Sequence, residues 1–277
     1  MANDYIAKMF DVSGKVAVVT GGGGILCSGM AEALAKADCK VAVLDLREDA
    51  AAAIADKINA GGGQAIPVAV DVLKRESIEQ ANEQVEKELG PVDVLVNGAG
   101  GNKKEATTSA DLSFFDLPDN AVSWVFNLNC MGTIMPSQII GRAMAERKQG
   151  NIVNISSMSA FHPLTNAIGY SGAKAAISNF TEWLATHMAQ NYSTKIRVNA
   201  IAPGFFLTEQ NRFLLVDEKT GEPTARSRSI LAATPQDRYG DPEELLGALM
   251  WLISDAASFV TGTVIPVDGG YNAFSGV

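Results

Sequence analysis

The 277-residue sequence has few of the residues that build metal centres, disulfide frameworks or nucleic-acid surfaces. Its only histidines are His162 and His187, which argues against a histidine-based metal site. Its three cysteines, Cys27, Cys39 and Cys130, are odd in number and widely spaced, so they indicate buried apolar fillers rather than disulfides or metal ligands. A net charge of −9 argues against a protein that neutralises nucleic-acid phosphates, because such proteins carry a basic stripe.

Long apolar runs and long polar tracts are also absent. No stretch has the length of uninterrupted apolar sequence that a bilayer requires, and residues 1–11 lack the hydrophobic core of a signal peptide. We therefore expect a soluble, cytoplasmic protein with no membrane partner. Because 47% of the residues are apolar and no Pro/Ser-rich linker interrupts them, we expect one domain over residues 1–277.

Seven short runs rich in Val and Ile predict strands that are buried on both faces of a sheet. They are Lys15–Thr20, Lys40–Asp45, Gln64–Asp71, Val92–Asn97, Asn151–Ser156, Ile196–Pro203 and Thr263–Asp268. Segments of helical period lie between most of them, among them Met30–Ala37, Glu48–Asn59, Ser77–Leu89 and Ala173–Ala189. This alternation predicts an α/β fold, a single doubly wound Rossmann-type domain whose seven-stranded parallel sheet carries helices on both faces.

Polar or small residues stand at the carboxyl ends of six runs: Thr20, Asp45, Asp71, Asn97, Ser156 and Pro203–Gly204. Since ligands of open parallel sheets bind outside these ends, we predict one shared site, although each residue taken singly also suits a turn. Two connections, Gly100–Val122 and Phe205–Gln236, are longer than the scaffold needs. The second is predicted to form a substrate lid over residues 205–236.

A glycine cluster, Gly21–Gly24, separates the first strand from the first helix, where backbone and helix N-terminus can approach a pyrophosphate. Asp45 closes the second strand, where an acidic side chain accepts hydrogen bonds from the ribose hydroxyls and repels a 2′-phosphate. The pattern favours NAD over NADP. Arg47, two residues beyond, could pair with that phosphate and leaves NADP as the alternative.

Tyr170 and Lys174 are four residues apart in a predicted helix and therefore share one face. A neighbouring ammonium would stabilise the phenolate and lower the pKa of Tyr170 towards neutrality, and Ser157 could donate to the reacting oxygen. Alone, the pair is more typical of a packed tyrosine beside a solvated lysine.

Together these motifs resemble the short-chain dehydrogenase/reductases, over residues 14–270. The residues that carry the resemblance are Thr20–Gly24, Asn97–Gly100, Ser157, the YSGAK segment at 170–174, Pro203–Thr208 and Val267–Gly270. It implies hydride transfer between NAD(H) and a hydroxyl or keto carbon, with Tyr170 as acid/base, Ser157 orienting the carbonyl and Lys174 holding the nicotinamide ribose. It also implies that Asn129 positions a proton-relay water, with Asn127 as the alternative, and that the protein is a homotetramer.

The resemblance extends to a cofactor groove, with Asp71 and Val72 as adenine contacts. The groove residues are Gly21, Gly23, Gly24, Ile25, Leu26, Asp45, Leu46, Asp71, Val72, Asn97, Ala99, Gly100, Tyr170, Lys174, Pro203, Gly204, Phe206 and Thr208. One departure stands out. Ile25 and Cys27 occupy the places of the second and third glycines of the usual TGxxxGxG pattern, so pyrophosphate contacts at residues 23–26 rest on a weaker match.

Within the family, stretches such as NGAGGNKKEATT and APGFFLTEQNR resemble the D-mannonate oxidoreductase (D-fructuronate reductase) branch, which implies reduction of D-fructuronate to D-mannonate with NADH. A sugar acid needs a cation and hydroxyl partners. The candidates, besides Ser157, are Lys103, Lys104, Arg212, Asn102, His162, Asn166 and Asn211. Each of these residues, taken singly, is more typical of a solvated loop. The alternatives are another polyol, a ketogluconate or a 3-oxoacyl substrate, or a catalytically inactive dinucleotide-sensing or scaffold protein.

Overall fold

The structure, a computed structural model, describes residues 2–208, 212–217 and 220–276. Its centre is a sheet of seven parallel strands in the order β3-β2-β1-β4-β5-β6-β7. The strands are β1 (Val16–Thr20), β2 (Lys40–Asp45), β3 (Gln64–Ala69), β4 (Val94–Asn97), β5 (Gly150–Ile155), β6 (Ile196–Pro203) and β7 (Val264–Val267). Each apolar run has become a strand, which confirms the predicted seven-stranded parallel sheet.

Helices cover both faces of this sheet. In the described part of the chain, the helices are α1 (Ala2–Met9), α2 (Ile25–Lys36), α3 (Glu48–Ala60), α4 (Arg75–Glu88), α5 (Asp119–Arg147), α6 (Ile168–Asn191), α7 (Arg212–Leu215), α8 (Ala225–Ala232) and α9 (Leu246–Ile253). Ala17 and Val19 of β1 face a core with α2, α3 and α9, whereas Val16 and Val18 face a second core with α4, α5 and α6. Two apolar faces need two helical layers, so the doubly wound prediction is confirmed.

The long connections carry more regular structure than the sequence indicated. Helix α5 begins at Asp119, so the connection after β4 ends at Pro118 rather than at the predicted Val122. It contains two 3₁₀ turns, Lys104–Ala106 and Phe114–Asp116. The region predicted as a lid contains α7 and α8. Among the described helices, none combines the length and apolar character that a membrane crossing needs.

A buried chain of polar side chains ties β4 and β5 to α5 and α6. Asn97 lies beside Asn154 in the sheet register, and its Nδ2 donates to Asn154 Oδ1 at 2.8 Å and to Ser137 Oγ at 2.9 Å. Asn154 Nδ2 donates in turn to Thr181 Oγ1 at 2.9 Å. All four side chains are buried, so they depend on one another rather than on water.

Replacing Asn154 with Ala is therefore expected to destabilise the fold by about 2–4 kcal/mol, because it removes one hydrogen bond from each of two buried partners, Asn97 and Thr181, and leaves a cavity between them. Asn151→Ala, on the same strand, is the matched control, since Asn151 is only partly buried and makes one long contact of 3.4 Å to Ile253 O. Denaturant unfolding followed by circular dichroism gives both values. If the two variants lost the same free energy of unfolding, the stabilising role that we assign to the buried polar chain would be contradicted.

Candidate active site

The candidate site lies where the strand order reverses, outside the carboxyl ends of β1 and β4. Gly21 has a left-handed φ of +66°, and a Cβ there would lie 2.9 Å from the Cα of Ala99. Only glycine allows the two loops to approach this closely. Thr20 Oγ1 fixes the approach by accepting from Gly98 N at 3.1 Å and Ala99 N at 3.2 Å. A crevice of this kind is the usual position of a dinucleotide on such a sheet.

Cys27 explains how the chain departs from the usual glycine pattern. Its buried thiol fills the space in which a side chain of Gly98 would stand, since a Cβ on Gly98 would overlap the Cys27 sulfur. Cys27 stands where the usual pattern has a glycine, and its larger side chain fits because Gly98, on the loop after β4, has no side chain. Burial raises the pKa of Cys27 to about 12, so the thiol stays neutral and acts as an apolar filler.

Asp45 and the start of α2 form the next part of the groove. Gly24 is the N-cap of α2, so the first-turn N–H groups of Ile25 and Leu26 have no acceptor within the helix. One carboxylate oxygen of Asp45 accepts from Gly23 N at 3.0 Å and the other from Arg47 N at 3.0 Å. Each oxygen keeps a further lone pair for a hydroxyl donor, so this corner fits the ribose and pyrophosphate of a dinucleotide.

Three further residues that are predicted to line the groove, Leu46, Asp71 and Val72, follow the carboxyl ends of β2 and β3. Leu46, after β2, is 72% exposed, whereas Val72 is buried close to Gly132 of α5. Asp71 Oδ1 accepts from Leu73 N at 3.0 Å, and its other oxygen lies 3.3 Å from Lys74 Nζ. The Asp71 carboxylate therefore stabilises its own turn.

Asn129, Gly100 and Lys174 come together from three elements. Asn129 Nδ2 donates to Gly101 O at 2.7 Å and to Val125 O at 2.8 Å, while its Oδ1 accepts from Gly101 N at 3.2 Å. A Cβ on Gly100 would lie 2.5 Å from Asn129 Oδ1 and 3.5 Å from Lys174 Nζ. The loop after β4, α5 and α6 therefore meet at a position open only to glycine.

Tyr170 and Ser157 meet beside this junction. Tyr170 stands in the first turn of α6, and its phenol shares a hydrogen bond with the Ser157 hydroxyl. Lys174 Nζ lies 5.5 Å from the centre of the Tyr170 ring and donates to Ile155 O at 2.7 Å. The structure thus brings together the tyrosine, serine and lysine that the sequence predicted.

The predicted pKa of Tyr170 is wrong in direction. Burial raises the pKa of this phenol, and the hydrogen bond from Ser157 lowers it by less. Lys174 is itself buried, which lowers the pKa of its ammonium to about 8, and the ammonium donates to the Ile155 carbonyl. Desolvation of the Tyr170 phenol therefore outweighs its hydrogen bond with Ser157.

The side chain of Asn97 does not line the groove, so the predicted groove contact of this residue would have to come from its backbone. It is 1% exposed and turned into the buried polar chain with Ser137 and Asn154. Its neighbours Ala99 and Gly100 do stand at the crevice. The Asn97 side chain points away from the groove because Asn97 belongs to β4, where successive side chains alternate between the two faces of the sheet.

The loop after β6 lies at the same edge of the sheet as the candidate site. Gly204 N donates to Val267 O at 2.9 Å, and a Cβ on Gly204 would lie 2.7 Å from the Cα of Asp268. Phe206 is buried and pairs with Gly240 in an isolated bridge. Thr208 O accepts from Arg212 N at 2.9 Å, which joins the loop to α7. Pro203 ends β6 at the same edge as the crevice.

The predicted substrate residues fall into two groups. Asn102 donates to Thr107 Oγ1 at 3.0 Å, Lys103 Nζ lies 3.6 Å above the centre of the Trp124 ring, and Lys104 is exposed at the start of a 3₁₀ turn. Ala106 of that turn packs in a cluster with Tyr170, so these residues lie near the phenol.

The second group lies on other loops. His162 follows the turn that begins at Ser157, and its Nε2 is 3.4 Å from Asn272 O. Asn166 O accepts from Thr108 N at 2.9 Å. Arg212 is exposed at the first position of α7. Asn211 lies outside the described residues.

Two residues that hold Asn129 in position, Thr133 and Ser137, were not predicted from the sequence. Thr133 Oγ1 donates to Asn129 O at 2.9 Å, and Ser137 Oγ donates to Thr133 O at 2.8 Å. These hydrogen bonds form a line along one side of α5 that connects Asn129 with the buried polar chain at Ser137. The signal available in the sequence was the spacing of 129, 133 and 137, which stacks three polar side chains on a helix that is otherwise buried there.

Residues 15–219 match the model of the short chain dehydrogenase family. The chain belongs to this family. The prediction made from its motifs is thereby confirmed, and this short-chain dehydrogenase is an NAD(P)-dependent oxidoreductase that acts on CH–OH groups.

Three relatives bear on the finer properties of this short-chain dehydrogenase. A Haemophilus influenzae protein, solved with bound NAD and provisionally assigned as a D-mannonate oxidoreductase, is 45% identical over 98% of this chain and 100% of its own, with a TM-score of 0.92. The 5-keto-D-gluconate 5-reductase of Escherichia coli K12 is 32% identical over 95% of this chain and 97% of its own. A gluconate 5-dehydrogenase from Burkholderia cenocepacia, in complex with NADP and tartrate, is 29% identical over 97% and 99%, with a TM-score of 0.85.

Buried Lys174 predicts a pH dependence of stability. Its folded pKa of about 8 lies below the ordinary value of 10.5, so between these values the unfolded chain binds more protons than the folded chain. The free energy of unfolding of the wild type, relative to Lys174→Met, should therefore rise by on the order of 1–3 kcal/mol between pH 8 and pH 10. Urea titrations across this range measure the difference.

The same replacement at an exposed lysine, Lys195→Met, is the control for this experiment. A difference between wild type and Lys174→Met that stayed flat with pH, or fell, would mean that Lys174 is not desolvated in solution.

Proposed function

We propose that this short-chain dehydrogenase reduces D-fructuronate to D-mannonate with NADH, reversibly. The observation that carries the reaction is the convergence of Tyr170, Ser157 and Lys174 beside the junction of Asn129 with Gly100. The substrate is supported by the similarity over almost the whole chain to the Haemophilus influenzae protein.

Each of the four polar residues has a defined part in the proposed reaction. The bound nicotinamide would supply the hydride. Tyr170 gives its phenolic proton to the developing alkoxide, and Ser157 donates a hydrogen bond to the same oxygen. Lys174 holds the nicotinamide ribose through its ammonium. Asn129, fixed between Gly101 and Val125, positions the water through which Tyr170 regains a proton.

NAD in preference to NADP is part of the same proposal. The Asp45 carboxylate already holds Gly23 N and Arg47 N, and its remaining lone pairs suit the two adenosine ribose hydroxyls. A 2′-phosphate placed there would meet like charge. The exposed side chain of Arg47 is the feature that favours NADP instead, so both cofactors belong in the assay.

A cation near the reacting centre would bind the carboxylate of the sugar acid. Lys104 is our first candidate, because it is exposed and its 3₁₀ turn packs through Ala106 against the cluster that includes Tyr170. Lys103 is held over Trp124, and Arg212 stands at the start of α7. These residues lie on the two long connections, and we assign the segment 205–236 the role of a lid over the substrate.

We further propose a homotetramer in the cytoplasm. A groove of about 1020 Å³ between α5 and α6 is lined by Phe180, Trp183, His187 and Tyr192, whose rings stack or meet edge to face. Such an aromatic groove on the outer helices suits contact with another copy. The three cysteines are free and buried, which suits a reducing compartment.

The substrate is tested with a panel of keto compounds. Purified protein is assayed for oxidation of NADH and of NADPH with D-fructuronate, 5-keto-D-gluconate and an acetoacetyl thioester. We expect the highest kcat/KM for D-fructuronate with NADH. A preference for 5-keto-D-gluconate would favour the activity of the Escherichia coli relative, and a preference for the thioester would refute the sugar-acid assignment.

Tyr170→Phe tests the reaction itself. Removing only the phenolic oxygen should lower kcat by at least about 100-fold, because the alkoxide loses its proton donor, while the Kd for NADH stays within about twofold. Fluorescence titration gives the Kd and steady-state assays give kcat. Retained turnover would remove Tyr170 from its assigned role, whereas a wild type without turnover on every substrate would favour a dinucleotide-sensing or scaffold protein.

A further inference from the structure

The segment that follows β7 is held firmly against the candidate site. The Asp268 carboxylate accepts from Gly270 N at 3.0 Å and from Asn272 N at 2.7 Å. On the other side, Gly269 O accepts from Gln236 N at 3.1 Å. Residues 268–272 are thus fixed by their own turn and by the end of the 205–236 segment.

Tyr271 lies between two loops that border the reacting centre. Its ring meets the His162 ring edge to face, with centroids 6.0 Å apart, and the Phe205 ring with centroids 5.2 Å apart. His162 follows the turn that begins at Ser157. Phe205 is the second residue after the end of β6 at Pro203. Tyr271 therefore lies over the same sheet edge as the catalytic serine, on the side away from β4.

The hydroxyl of Tyr271 differs from that of a structural tyrosine. Tyr239, in the neighbouring loop, donates its hydroxyl to Ser227 Oγ at 2.7 Å. Within the described residues, the Tyr271 hydroxyl makes no hydrogen bond, although its ring is partly buried. A phenol presents a rigid apolar body and a polar tip, and here the body is held by two rings while the tip is left for another partner.

We infer that Tyr271 is a specificity-determining residue whose hydroxyl binds a hydroxyl or carboxylate group of the sugar acid remote from the keto carbon. The inference rests on the proposed function. His162 Nε2 shares this wall, where it is held near Asn272 O. Because the two edge-to-face contacts fix the ring before substrate arrives, the hydrogen bond costs little ordering of the side chain.

Tyr271→Phe is the decisive variant, because it keeps both ring contacts and removes only the hydroxyl. The substrate is whichever of D-fructuronate and 5-keto-D-gluconate the wild type reduces. We expect KM to rise about tenfold, as for the loss of one hydrogen bond to a polar or charged group, with a smaller change in kcat. The Kd for NADH and the Tm should match the wild type. Tyr5→Phe, on the exposed face of α1, is the matched control and should leave KM unchanged.

The outcomes separate this inference from the proposed function. A wild type that reduces neither sugar acid refutes the proposed function, and the inference with it. A wild type that is active while Tyr271→Phe keeps its KM refutes the inference alone. A rise in KM that comes with weaker NADH binding or a lower Tm would assign Tyr271 to packing and would also overturn the inference.

Discussion

The candidate site depends on the close approach of the loop after β4 to two helices. Gly100 has no side chain, so the buried amide of Asn129 can bond both backbone groups of Gly101, and Lys174 can stand beside it. Any Cβ at position 100 would separate these elements. The lysine position then fixes the first turns of α6, from which Tyr170 reaches Ser157. The lack of a side chain at Gly100 thus determines how close together Asn129 and Lys174, two groups of the proposed reaction, can lie.

The fold was largely predictable because a parallel sheet buried on both faces must be built from continuous apolar runs. Such runs as Ile196–Pro203 stand out at any position in the chain. The start of α5 was harder to predict. Its residues face α4, α6, the sheet and the site in turn, so the helix lacks a single apolar stripe. The sequence pattern therefore places residues 119–122 in the preceding connection.

The sequence predicts those site residues whose positions depend on spacing along one helix or strand. It predicts less well the residues whose positions depend on packing between distant parts of the chain. The pair Tyr170 and Lys174 follows from helical spacing, and Asp45 follows from its place at the end of a strand. The complementarity of Cys27 with Gly98 joins residues far apart in the chain, so only the packed structure relates them. The inward turn of the Asn97 side chain likewise depends on which face of the sheet is occupied by polar partners.

The direction of the Tyr170 pKa shift bears on how the proposed reaction would proceed. A phenol whose pKa is raised by burial keeps its proton at neutral pH, which is the form needed to protonate an alkoxide during reduction. Lys174 contributes less charge than an exposed lysine near and above pH 8, because burial has lowered its own pKa to about 8. Oxidation of an alcohol needs the phenolate instead. As the surroundings of Tyr170 favour the neutral phenol, we expect the rate of the oxidative direction to gain as the pH rises.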